Sequence, residues 1–118
     1  VANFFTGERF ERKVEAFQKA FVPKLQYYDR SLSNFPDGPF FFGDAPMFCD
    51  FTIYHHFQIA RTLVPSIFDD QPGISAFMTA MENLPGMQTY LTSRAQLTGV
   101  GTAPVLVRNG EVIQPGFE

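Results

Sequence analysis

Residues Gly43 to Phe57 read GDAPMFCDFTIYHHF, and the change of character inside this stretch decides the fold. A turn-forming quartet, Gly43-Asp44-Ala45-Pro46, runs directly into a segment in which Ile53, Phe57 and Ala60 recur at helical spacing. Tyr54 follows Asp50 by four residues. The turn predicts an abrupt helix start, and Asp50 stands where a carboxylate meets the unsatisfied N–H groups of that start. An acid at this place closes a reciprocal cap with a Ser or Thr three residues earlier. Met47 occupies the hydroxyl's position, so half of that arrangement must come from elsewhere. The local pattern favours Asp50, with Gly43 and Asp44 of the turn, as a structural cap over Asp50 as a catalytic acid. Removing such a cap costs about 1–2 kcal/mol.

Upstream, Phe10, Val14, Phe17, Phe21, Leu25, Tyr28 and Leu32 fall at steps of three and four and keep one face apolar. Pro23 lies inside that run, where it deletes a backbone bond and kinks a helix. Because the face continues through the proline, the spacing predicts one long kinked helix. Glu11, Arg12, Glu15, Lys19, Asp29 and Arg30 are read as its solvated outer face. Asn34 to Pro39 is dense in turn residues, and Phe40-Phe41-Phe42 follows as an aromatic plug.

Downstream, the central helix should run to about Leu63, where Pro65 stops it. Asp69 to Gly73 reads as a loop. Ile74, Phe77, Met78, Met81 and Leu84 predict a third helix, and Met87, Tyr90 and Leu91 a short fourth one facing inward. In Pro104 to Gln114, Asn109-Gly110 is a strong hairpin signal that would set Val107 opposite Val112 and Arg108 opposite Glu111. The expected division is a helical domain over 1-97 and an extension over 98-118, with the hairpin at 104-114.

The 118 residues are 45% hydrophobic and 18% charged, which suits one compact domain. Fifteen Phe without any Trp imply a thick aromatic core. A formal charge of −3 offers no electrostatic basis for nucleic-acid or anionic-membrane binding. No apolar run approaches the ~20 residues of a transmembrane helix. A lone Cys49 precludes an intrachain disulfide and fits the cytoplasm or another reducing compartment, an organelle included.

FERKVEAFQKAFVPKLQYYDRSL, PFFFGDAPMFCDFTIYHHFQIARTLVP, a P-x-I-x-x-F helix and NLPGMQTYLTSR together span Phe10 to Gln96. This run resembles the C-terminal helical domain of cytosolic glutathione S-transferases, closest to the mu/sigma-like group. The resemblance implies an all-α bundle; the short C-terminal β-hairpin read from the Asn109-Gly110 turn departs from the family, whose tails close over the substrate site as helix or coil. It implies that Asp50 is the family's capping acid, that Phe48, Phe51 and Tyr54 are core around it, and that Met47 departs from the family's Ser or Thr. It further implies a thioredoxin-like domain carrying the catalytic Tyr or Ser and the glutathione site, of which this sequence contains none. The family's preceding helix would be represented only by Val1 to Phe5. An uncovered apolar face is then expected, with Phe4, Phe5, Phe10, Val100 and Val105 as a hydrophobic-ligand or partner surface.

Other residues invite chemistry more weakly. His55 and His56 point about 100° apart on a helix and cannot share one metal. Cys49 at a helix start has neither a basic partner nor a resolving cysteine. Asp69 and Asp70 fall short of a calcium loop's ligand spacing. Phe40, Phe41, Phe42, Met78, Met81 and Met87 suit core more than a greasy pocket. No catalytic residue and no metal site is therefore assigned. Two functions stay open. In one, the chain shapes the hydrophobic-substrate side of a glutathione-conjugating enzyme, a homodimer when complete, with glutathione held by the other domain. In the other, it is a non-catalytic interaction module or subunit of a larger assembly.

Overall fold

A computed structural model describes residues 7–35, 37–93, 106–108 and 111–113. Its elements are α1 (Gly7–Ser33), α2 (Phe48–Leu63), α3 (Pro72–Glu82), α4 (Met87–Ser93), β1 (Leu106–Arg108) and β2 (Glu111–Ile113). The strands pair antiparallel, with Val107 opposite Val112 and Arg108 opposite Glu111. The Asn109-Gly110 turn lies outside the described residues.

α1 passes through Pro23 without a break. Pro23 is exposed, so the Lys19 carbonyl that loses its helical donor is on a face open to water. On the opposite face Leu25 and Leu32 are buried, while Phe17, Phe21 and Tyr28 are half-buried against the core. Packing along that face outweighs the proline's local cost. On the outer face, the hydrogen bond and charge of Lys19 hold the Glu15 carboxyl below its ordinary range.

The packing centre is α3, shorter than α1 or α2. Ile74, Phe77, Met78 and Met81 recur at helical spacing and are all nearly inaccessible, and α1, α2 and α4 each pack on this helix. Phe57 of α2 supplies the other pivot. Its ring meets Phe68 at 5.0 Å, Tyr28 at 5.3 Å and Phe77 at 6.1 Å, so three segments converge on one side chain. Aromatic pairs at such separations add about 0.5–1.5 kcal/mol each beyond the area they bury.

α3 begins two residues before the spacing of its apolar positions suggests. Pro72 and Gly73 form its first turn instead of closing a loop, because proline suits the first helical position. Gln71 at the N-cap makes no side-chain cap bond. The cap comes from α1, where Asp29 Oδ1 accepts the N–H groups of Gly73 at 3.0 Å and Ile74 at 3.3 Å. Asp29, expected as solvated charge, is thus half-buried and joins two helices. A Cβ on Gly73 would lie 2.6 Å from that oxygen, so a side chain there would push the Asp29 carboxylate off the helix start.

Asp29→Ala should therefore cost about 1–2 kcal/mol, the range of a lost N-cap, although the acid belongs to another helix. Gly73→Ala should show a loss of the same sign. Urea unfolding of the two variants and their double mutant checks this. The double mutant should fall short of the sum, because both changes remove one interaction.

Candidate functional site

The turn before α2 is built on close backbone approaches. Phe40 and Gly43 exchange N–H···O bonds of 3.2 and 3.3 Å, and Gly43 has φ +125°, a conformation suited to glycine. Gly38 packs so tightly on the Gly43–Asp44 peptide that a side chain there would collide with the Gly43 carbonyl and the Asp44 nitrogen.

Asp50 lies fully buried beneath this turn. Its Oδ2 accepts the Met47 N–H at 2.7 Å, and its Oδ1 accepts the Phe41 N–H at 3.0 Å. Met47 contributes no side-chain oxygen; the Asp50 N–H donates to the Met47 carbonyl at 3.0 Å. One carboxylate therefore fixes both the helix start and the aromatic plug nine residues upstream. The bond missing from the Met47 side is not replaced there, and the second anchor is on the plug. Asp44 is exposed and makes no side-chain hydrogen bond among the described residues.

The aromatic residues divide differently from their spacing. Phe40 and Phe41 are buried while Phe42 is 61% exposed. Phe48 and Phe51, expected as core around Asp50, are 87% and 46% exposed, because the inward face of α2 runs through Asp50, Tyr54 and Phe57. Tyr90, expected inward, is 56% exposed. Phe10, expected on an open apolar face, is buried. Phe4, Phe5, Val100 and Val105 lie outside the described residues.

Beside α2 opens a cavity of about 460 Å³ lined by Phe51, Tyr54, His55, Gln58, Leu84, Pro85, Gly86, Met87 and Tyr90. On its α2 side, Gln58 Nε2 donates to the Tyr54 hydroxyl at 2.6 Å, and that hydroxyl donates to Glu82 at 3.3 Å. Arg61 forms an ion pair with the same Glu82 oxygen. Nothing in the spacing of the chain announces this cavity, since its walls come from segments more than twenty residues apart in sequence.

His55 and His56 are both exposed, and no group of three metal-ligating side chains occurs among the described residues. Cys49 is half-buried, with Sγ 4.0 Å from Asp50 Oδ2 and thus beside a carboxylate instead of a base. Asp69 and Asp70 are exposed. Asp50, Asp29 and Glu82, the carboxylates that reach inward, are each engaged in joining one segment to another.

Residues 1–94 match the family model described as Glutathione S-transferase, C-terminal domain. The chain belongs to this family. Over 85 residues it is 32% identical to Glutathione S-transferase Mu 1 of Oryctolagus cuniculus, a match covering 72% of this chain and 38% of that protein. The chain thus spans well under half the length of that curated relative. In this transferase-type domain, the turn, the buried Asp50 and the aromatic plug form one structural unit. No helix among the described residues is long and apolar enough to cross a membrane.

Proposed function

We propose that this domain forms the hydrophobic-substrate wall of a glutathione-conjugating enzyme and that a different part of the protein activates glutathione. The observation that carries the reading is the apolar surface at the start of α2, where Phe42, Met47, Phe48 and Phe51 stand 61%, 54%, 87% and 46% exposed. Large apolar side chains left this exposed and this close in sequence suit a surface that a ligand or partner covers. The described carboxylates that reach inward act as structural anchors, which fits a domain that shapes a site while the reacting thiol is held elsewhere. In the conjugation, the glutathione thiolate forms a carbon–sulfur bond to the electrophile, and the leaving group departs with the electron pair of the broken bond.

The test is steady-state kinetics of the complete natural protein with glutathione and an aryl halide. Phe48→Ser should raise KM for the aryl halide at least threefold and leave KM for glutathione unchanged, since so exposed a ring contributes little to folding. Equal changes in both constants, or no conjugation by the complete protein, would overturn the reading. The same exposed rings also suit a docking face. If the complete protein does not conjugate glutathione and travels in a much larger complex that Phe48→Ser dissolves, the domain is an interaction module.

A further inference from the structure

We infer, on the substrate-wall reading, that the tip of the turn before α2 is where the glutathione-activating part of the complete protein is seated, through a segment that carries lysine or arginine. A thiolate held by a different part reaches an electrophile at the exposed Phe48 only if that part lies against this side of the domain. Well over half of the curated relative's length lies outside the matched stretch, which is ample chain for such a part.

What the tip presents fixes the chemistry of that segment. The Phe35 and Phe42 rings, both exposed, meet at 6.0 Å. Gly38 packs on the Gly43–Asp44 peptide, which brings Asp37 and Asp44, the neighbours of these glycines, to the same tip. Both carboxylates are exposed, and neither enters an ion pair among the described residues. Residues 31–60 contain no Lys, Arg or Glu, and the third acid of that run, Asp50, is buried beneath the turn. Two apolar rings thus stand beside two carboxylates that no described base neutralises. An acidic segment would bring like charges together here, and a purely apolar one would cover the carboxylates without a counter-charge. An ammonium or guanidinium suits both features, since it is attracted to a ring face and forms charge-assisted bonds with a carboxylate. Its apolar stem can lie along the rings.

The test is photocrosslinking of the complete natural protein with a benzophenone in place of the Phe35 phenyl ring, which keeps an aromatic group at an exposed position outside the substrate wall. The expected adduct joins position 35 to a peptide from outside these 118 residues that contains Lys or Arg. Asp37→Lys with Asp44→Lys should lower its yield at least fivefold, and changing the base in the crosslinked peptide to Glu in that variant should restore it. Both substituted side chains are exposed, so unfolding midpoints should stay with the parent's. The yield should also fall as salt is raised. No adduct, an adduct within these residues, with a second copy or with another protein, or a yield indifferent to both charge reversal and salt would overturn the inference. Glutathione conjugation is measured separately on the unmodified protein. Conjugation with the adduct elsewhere removes the seat and leaves the substrate wall, whereas the expected adduct without conjugation keeps the contact and removes the wall.

Discussion

Asp50→Ala should destabilise the domain by about 3–4 kcal/mol, well beyond the loss of an ordinary helix cap. The carboxylate is inaccessible to solvent and accepts two backbone N–H groups, at 2.7 Å from Met47 and 3.0 Å from Phe41. Bonds to a charged acceptor contribute about 1.5–3 kcal/mol each, and buried donors left without a partner carry a desolvation cost. Water can reach the exposed Met47 and recover part of the loss on that side, but Phe41 is buried. The expected loss is therefore smaller than the simple sum of two bonds. Asp50→Asn keeps the shape but turns an N–H group of its own toward one of the two donors, so it should lose at least half as much. Urea midpoints at constant m-value measure both. A loss below about 1.5 kcal/mol for alanine would mean that the plug's N–H finds another acceptor.

Gly38→Ala should cost about 3 kcal/mol or more, at the upper end of overpacking effects. The added methyl would overlap the Gly43 carbonyl and the Asp44 nitrogen, and both are backbone atoms. Relief requires moving a turn closed by reciprocal Phe40–Gly43 bonds, which also holds Phe41 over Asp50. Gly43→Ala is the informative comparison. It has open space around the new carbon but a φ of +125°, so only backbone strain opposes it, about 1–3 kcal/mol. Thermal unfolding should place Gly38→Ala lower than Gly43→Ala, with a fall of about 10 °C or more from the parent. The reverse order would show that the turn yields to the methyl group.

The stretch from Gly43 to Phe57 carried most of the fold in its own residues. It shows a turn that only short or restricted residues can make, an acid at the helix start and an apolar face at helical spacing. The end of α2 at Leu63 follows from Pro65 in the same local way. Legibility failed where a residue's partner is distant in sequence. Asp29 lies between the inward Tyr28 and a charged face, and its spacing does not reveal that two amides of another helix meet it. Pro72-Gly73 has the composition of a loop, and only that carboxylate makes it a helix start. Tyr90 sits on an apolar stripe broader than the surface its neighbours cover, so periodicity alone assigns it inward, whereas the resemblance, not the spacing, places Phe48 and Phe51 in the core. The cavity is a property of two segments brought together, and neither half has a local signature.

The bond from Asp29 to the start of α3 also bears on how the domain comes apart. Because α3 has no side-chain cap of its own, its first turn gains that stabilisation only while α1 is docked. The helix that fills the centre of the core is therefore tied at its weakest point to an element forty-four residues earlier. Loosening α1 frays α3 at the same moment, and through α3 it removes the surface on which α2 and α4 rest. The domain is thus arranged to melt in a single cooperative step, with little opportunity to shed one helix at a time.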